Sequence, residues 1–357
     1  MKRRVVVGMS GGVDSSVAAL LLRDAGHAVE GATMRIYSGP PAEGPAMDSC
    51  YGPGEEADME LAASVCARLG IPHHVVDLRE AYRSMVLDYA RDEYLAGRTP
   101  NPCILCNQRV KFGLLLDRLA SVRGLALETF ATGHYCRVGR LPGSGRLAIR
   151  TAADPAKDQS YFLCMLTQDQ LARVLFPLGE LTKATVRRLA QEAGLENHDR
   201  PESQDFAAGG YRTVLRAPEK PGPITDASGR IIGSHRGVWG YTIGQRRGLG
   251  VGGGEPLYVT RIDAGSNTVV AGPDADLYRR ELVARDVNWA GIERPAAPVR
   301  LDVKIRYRNP AAPALVVADA EGSATVVFDE PQRAIAPGQW AVFYDGDVLA
   351  GGGVITG

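Results

Sequence analysis

The sequence predicts an α/β protein: an N-terminal doubly wound parallel sheet, then a small middle domain, then a C-terminal antiparallel β-barrel or sandwich, with the barrel preferred. Three observations carry this. Strand-like and helix-like stretches alternate from residue 3 to residue 132, the pattern of a parallel sheet covered by helices on both faces. Beyond residue 200, Gly and Pro become frequent and helical periodicity fades. From Leu301 to Arg308, apolar and charged residues alternate, as in a strand with one buried face.

Residues 3–8, with Val5-Val6-Val7, read as a buried strand, and residues 15–25 as a helix stopped by Gly26. Residues 28–34 and 74–78 read as further strands, with a helix over 56–69 between them that Gly70 and Pro72 close. Helices are expected over 80–95 and 107–120, and a strand over 127–132. Residues 38–55 are rich in Gly and Pro and too long for a routine connection; they form a candidate functional loop that contains Cys50. Near the end, Asp345-Gly346 between apolar runs signals a hairpin. The domain boundaries that follow are 1–200, 201–276 and 277–357.

With 357 residues the chain has room for two or three cores. No apolar run reaches the roughly 20 residues of a membrane span, and Gly8 and Ser10 break up the one after the basic N-terminus, so a cytoplasmic location and no membrane partner are expected. Lys plus Arg and Asp plus Glu both number 41, which argues against indiscriminate nucleic-acid binding; any RNA contact is local. The six cysteines all lie in the first half of the chain, which does not suit a disulfide framework. In a reducing compartment Cys103-Ile104-Leu105-Cys106 points to metal or redox chemistry.

Ser10-Gly11-Gly12-Val13-Asp14-Ser15-Ser16 follows a predicted strand and opens a helix. Its glycines let the backbone approach phosphates, and its amides sit at the positive end of the helix. The plain alternative is a glycine-rich turn capped by Ser or Asp. No Gly-Lys-Ser/Thr follows, which argues against γ-phosphate transfer. The run resembles the signature of the PP-loop ATP pyrophosphatases, which cleave ATP between the α- and β-phosphates. That resemblance implies ATP and Mg2+ as cofactors. It implies that Gly8, Met9, Ser10, Gly11, Gly12, Val13 and Ser15 cradle phosphates and that Asp14 helps hold magnesium and pyrophosphate. Backbone near Met34 and Gly133 would hold the nucleoside.

Further motifs narrow the resemblance. They are Gly97-Arg98-Thr99-Pro100-Asn101-Pro102-Cys103-Ile104-Leu105-Cys106-Asn107 followed by Lys111-Phe112, then Ala131-Thr132-Gly133-His134-Tyr135 and Lys157-Asp158-Gln159-Ser160-Tyr161-Phe162-Leu163. Thr242-Ile243-Gly244-Gln245-Arg246-Arg247-Gly248-Leu249-Gly250 and Pro337-Gly338-Gln339 complete the set. Together, in this order over nearly the whole chain, they are similar to the tRNA-specific 2-thiouridylase family. The resemblance implies that ATP adenylates the 2-oxygen of the wobble uridine of tRNA and that sulfur replaces it. It implies Cys106 as nucleophile or sulfur carrier, and Asn101, Pro102 and Cys103 at the target base. Lys157, Asp158, Gln159, His134, Arg306, Tyr307 and Gln339 would contact tRNA. The sulfur donor would be a cysteine desulfurase, a relay protein or free sulfide.

The sequence departs from that family at two places. Disulfide-forming members have Asp where Cys103 stands, and a second catalytic cysteine where this chain has Ala207 in Ser203-Gln204-Asp205-Phe206-Ala207. Sulfur must be held otherwise. Cys50, Cys103 and Cys106 are candidate ligands of a [4Fe–4S] cluster whose fourth iron takes hydrosulfide. A Cys103/Cys106 redox or persulfide pair and a zinc site are the other readings. Cys66 and Cys164 fall in apolar periodicity and read as core, Cys136 as either, and His73 and His74 as packing or surface residues. A PP-loop ligase forming a C–N bond would need an ammonia source that the chain does not display. A retired tRNA-binding relative would have no use for an intact phosphate loop.

Overall fold

The structure, a computed structural model, describes residues 2–40, 49–123, 128–201, 205–207, 215, 217–251 and 255–356. Two compact units divide the chain. One comprises Met1–Val86, Cys103–Thr213 and Asp347–Leu349; the other comprises Leu87–Pro102, Val214–Gly346 and Ala350–Gly357.

The first unit is built on five parallel strands in the order His73–Asp77, Ala28–Arg35, Arg4–Gly8, Thr129–Ala131, Val174–Leu175. Val5, Val6 and Val7 are fully buried, as a central strand covered on both faces requires. Burial of each contributes about 1.5–3 kcal/mol. The strand order reverses between Arg4–Gly8 and Thr129–Ala131, so the loops after these two strands open onto the switch point where doubly wound sheets bind ligands. The helix Val13–Asp24 packs under this point through Val13, Val17, Ala18, Leu20 and Leu22, against the helix Lys183–Glu192. Gly26 and Gly70 follow their helices at φ +82° and +68°, a backbone that costs glycine little.

The second unit holds a four-stranded sheet and a barrel. The sheet runs Ile231–His235, Gly222–Thr225, Thr268–Gly272, Tyr258–Asp263 around Ile224, Val259 and Val269. Six antiparallel strands close the barrel, from Tyr278–Asn288 through Ala324–Arg333, Ala312–Ala318, Val299–Lys304 and Trp340–Asp345 to Val348–Ile355, which pairs back with the first. The alternation read from the sequence fills its core with Leu301, Val303 and Ile305. Gly346 makes the expected hairpin turn at φ +58°.

Three expectations need correction. The strand over Leu301 ends at Lys304, before Arg306 and Tyr307, because the backbone turns there, Asn309 N–H donating to Arg306 O at 3.2 Å, and the Arg306 guanidinium donates to the carbonyls of Ile243 and Ala334 at 3.1 and 2.7 Å. The helix expected over 80–95 is Arg79–Tyr82 and Asp88–Leu95 with a π turn, Arg83–Leu87, between them. The helix expected from residue 107 starts at Pro102 and is wound as a π-helix from Cys106 to Leu114 before it becomes α-helical over Leu115–Arg123. Residues 41–48 of the glycine-rich loop and residues 202–204 and 208–211 of the segment around Ala207 lie outside the described residues.

Candidate active site

The phosphate loop leaves the central strand at Gly8 and enters its helix at Val13. Gly11 takes φ +73°, and a Cβ there would stand 2.7 Å from the Asp58 carbonyl oxygen. Ser10 N–H donates to Ser15 Oγ at 3.2 Å, and Ser15 Oγ donates to Gly12 O at 3.0 Å, which closes the loop on itself. No side chain caps the helix start, so its first-turn amides face outward as an anion site. Asn197, 2% exposed, braces the loop from behind by donating to Gly11 O and Ser16 Oγ at 2.8 and 2.9 Å. Met9 is buried beneath the loop, and Met34 lies on the adjacent strand.

Asp14 is already occupied. Lys183 Nζ donates to both its oxygens at 2.7 and 2.8 Å, and the Tyr135 hydroxyl donates to Oδ1 at 2.7 Å. Lys183 is the first residue of its helix, directly after the capping Thr182. A buried cation at a helix N-terminus opposes both desolvation and the helix dipole, and only a strong partner offsets that. The sequence holds that signal, a lysine after a capping threonine, but not the partner. Gly133 presses on the loop: a Cβ there would lie 2.7 Å from the Asp14 carbonyl carbon and the Ser15 nitrogen.

The second cluster is sulfur. Cys103 and Cys106 are half-buried and Cys50 is exposed, yet desolvation pushes all three thiols up, Cys106 to about 11. Solvent reaches groups that protein flanks, as on the floor of a cleft. The three thiols lie within each other's electrostatic reach, and Lys111 acts on each in the opposite sense to burial. Tyr82 is 1% exposed, hydrogen-bonds Cys106 and stacks on Tyr51 with ring centroids 5.7 Å apart. Cys50 sits on the strand Ser49–Tyr51, which pairs in parallel with Asp205–Ala207: Ser49 with Asp205, Tyr51 with Ala207. The position that lacks the second cysteine therefore lies opposite Tyr51, on the strand next to that of Cys50 but in register one residue away from it. Among the described residues no group of three or more His, Cys, Asp or Glu is gathered to hold a metal ion. Cys66, Cys136 and Cys164 are fully buried. His73 and His74 hydrogen-bond Thr33 and Glu30.

One tripeptide joins the two clusters. Gly133 rests on Asp14, Tyr135 bonds Asp14, and His134 between them senses Lys111 of the thiol cluster. Burial, with the Lys111 charge, holds the His134 imidazole well below its usual range, and its Nδ1 shares a 2.7 Å hydrogen bond with Thr132. His134 is thus a half-buried group held neutral.

Several residues expected at tRNA point inward. Asp158 is 7% exposed and accepts from Ala152 N, Ser160 N and Ser160 Oγ, and Gln159 Oε1 accepts from Tyr135 N at 3.0 Å. Gln339 donates to Thr99 O at 2.8 Å, Thr99 N–H donates to Pro337 O, and Thr99 and Thr242 share a 3.3 Å hydroxyl contact. Three motifs distant in sequence thus meet on the loop before Asn101.

Residues 3–207 match the family described as tRNA methyl transferase HUP domain, residues 215–273 the tRNA methyl transferase PRC-barrel domain, and residues 279–355 the aminomethyltransferase β-barrel domain. The chain is 43% identical over 356 residues to the tRNA-specific 2-thiouridylase MnmA of Endomicrobium trichonymphae, covering 99% of this chain and 98% of that one. It is 45% identical over 360 residues to the protein of the same name from Trichormus variabilis, with 99% and 98% covered. Among solved structures it is similar to NMN synthetase from Francisella tularensis at 17% identity and a TM-score of 0.36, over 59% of this chain and 74% of that one.

Proposed function

The chain belongs to the tRNA-specific 2-thiouridylase family, it is an ATP-dependent tRNA-uridine 2-sulfurtransferase, and we propose how its residues divide that reaction. The 2-oxygen of the wobble uridine attacks the α-phosphorus of ATP, pyrophosphate leaves, and AMP stays on the base. A sulfur nucleophile then attacks the 2-carbon, and AMP departs with the former uridine oxygen.

The observation that carries this reading is the join at Gly133-His134-Tyr135, which sets a phosphate loop and a thiol cluster in one compact unit. The residues from Gly8 to Ser15 hold the phosphates through backbone amides. The Asp14 carboxylate is an oxygen donor suited to Mg2+, which supplies charge neutralisation at the pyrophosphate when bound with ATP. Lys183, already on Asp14, shares the charge of the leaving pyrophosphate. Met34 and Gly133 border the nucleoside. Cys106 carries or accepts the sulfur, with Cys103 three residues before it.

Asn101, Cys103, Lys157 and Tyr307 face the tRNA in this reading, and the buried Pro102 sets the backbone between Asn101 and Cys103. His134, Asp158, Gln159, Arg306 and Gln339 serve it from within, by fixing the backbone of the segments that touch RNA. A [4Fe–4S] cluster on Cys50, Cys103 and Cys106 needs the three thiols drawn closer than the gathered groups found here, and no step is routed through one. A thiol-based relay needs only their proximity, and the influence the three thiols exert on one another supports it. The division 1–200, 201–276 and 277–357 is supported by the edges of the three family matches. A tRNA substrate and free thiols support a cytoplasmic location, with a desulfurase, relay protein or sulfide as donor; among the described residues no helix is long and apolar enough to cross a membrane.

Anaerobic purification with iron and sulfide analysis, then thiolation of tRNA with ATP and sulfide, tests this. Full activity without iron removes the cluster. Thiolation that survives both Asp14→Ala and Cys106→Ser removes the assignment itself.

A further inference from the structure

Residues 242–250 carry two neighbouring arginines, Arg246 and Arg247, on a loop that closes on itself. Gln245 makes the closure. Its N–H donates to Thr242 O at 3.0 Å, its Oε1 accepts from Thr242 N at 3.1 Å, and its Nε2 donates to Arg247 O at 2.9 Å. Other elements of the same unit hold the loop from outside. Gly244 N–H donates to Val259 O at 2.8 Å and Val259 N–H to Gln245 O at 2.9 Å, which ties it to the strand Tyr258–Asp263. Arg306 donates to Ile243 O at 3.1 Å. Gly244, at φ +86°, lies against the corner of the barrel, since a Cβ there would stand 2.7 Å from the Ala334 Cβ. The backbone that carries the arginines is therefore fixed before any partner arrives, which lowers the entropic cost of binding one.

The two side chains themselves stand in solvent. Arg246 and Arg247 are exposed, and among the described residues neither is paired with a carboxylate. Carboxylates beside the anchoring residues are held by other cations, Asp274 by Arg333 and Glu93 by Arg98. In a chain whose cationic and acidic residues balance at 41 each, two adjacent unpaired guanidinium groups on a fixed loop make a local positive patch. Its place is set by Thr242, which shares a 3.3 Å hydroxyl contact with Thr99, two residues before Asn101. Guanidinium forks match phosphate oxygens, and such contacts hold a nucleic acid in register without reading its sequence.

We propose that residues 242–250 are a backbone clamp for the tRNA substrate, in which Arg246 and Arg247 grip phosphates beside the target uridine and Gln245 holds the loop in shape. This rests on the placement of the target base at Asn101 in the reading above. A clamp of this kind is the local contact that a chain of zero net charge needs, because affinity for RNA comes from cations that displace counterions from phosphates.

The test is equilibrium binding of an unmodified tRNA substrate transcript to the full chain at salt from about 50 to about 200 mM, with hydroxyl-radical footprinting of the bound RNA. Arg246→Gln and Arg247→Gln are each expected to weaken binding about five- to tenfold at about 0.1 M salt, and to reduce the slope of log affinity against log salt by about one. Backbone protection is expected to be lost next to the wobble uridine and kept elsewhere. Arg236→Gln removes an exposed arginine already paired with Glu219; it is expected to keep the wild-type slope and controls for net charge. Both clamp side chains are exposed, so their variants are expected to melt as the wild type does; where one does not, the other decides. A wild-type slope in a folded clamp variant overturns the proposal, as does protection lost only far from the wobble uridine or an equal slope loss in Arg236→Gln. The underlying placement fails separately: wild-type thiolation in Asn101→Ala removes the target base from Asn101, and the salt slope and footprint still judge the clamp.

Discussion

The phosphate loop and the thiol cluster lie in one unit and treat charge in opposite ways. Asp14 meets Lys183 and Tyr135 at 2.7 Å each, so the loop rests as a neutral, fully bonded set. Lys111 faces three protonated thiols, so the sulfur end rests with a cation that has no described anion. A site that receives a highly charged nucleotide gains by starting neutralised, because exchange of partners is cheaper than burial of new charge. A site that must create an anion gains by storing the counter-charge beforehand.

The largest effects separate the two ends. Asp14→Ala is expected to abolish both tRNA-dependent pyrophosphate release and thiolation, whereas Cys106→Ser abolishes thiolation and leaves pyrophosphate release measurable. Loss of pyrophosphate release in Cys106→Ser would break the comparison. Next, Lys183→Met is expected to lower kcat for pyrophosphate release about a hundredfold, the scale of one lost donor at a developing charge; a change confined to KM would reassign Lys183 to binding alone. The pH dependence should differ too. Burial holds the Cys106 thiol up at about 11, so its thiolate is scarce at neutral pH and grows as pH rises. Thiolation limited by that thiolate climbs about tenfold per pH unit in the neutral to alkaline range, and pyrophosphate release does not share the slope. The smallest effect is structural: Asn197→Ala is expected to cost about 1–3 kcal/mol in denaturant unfolding, since it leaves a buried carbonyl and hydroxyl without their donor.

The two ends also differed in how far the sequence disclosed them. The phosphate loop is written in contiguous residues, and three consecutive valines before it announce a central strand. Its counter-charge is not, because Lys183 lies 169 positions from Asp14 and only the folded sheet brings them together. The Cys103 and Cys106 pair was legible, but the winding that follows was not. Its apolar spacing still reads as helix, and its brace comes from Gln170, 62 positions after Gln108. The alternation over residues 301–308 predicted a barrel strand correctly up to Lys304, and then the backbone turns, Asn309 N–H bonding back to Arg306 O, while the Arg306 side chain reaches carbonyls of Ile243 and Ala334 that no local pattern reveals. Asp158 and Gln159 look like surface polar residues in a motif, and nothing local says that backbone amides from Ala152 and Tyr135 will claim them.

The unit that includes Leu87–Pro102 draws the rest of its residues from Val214 onward. On a ribosome, where chains emerge at about 5–20 residues per second, the stretch with Thr99 and Asn101 waits for Gln339, made 240 positions after Thr99. Contacts so far apart in sequence close slowly. A chain released before Gln339 therefore carries the phosphate loop and both cysteines of the thiol helix, but not the clasp on the loop ahead of them. Such fragments are expected to keep the means to hold nucleotide while lacking the bonds that fix the loop before Asn101, so that hold on nucleotide and order in that loop come apart.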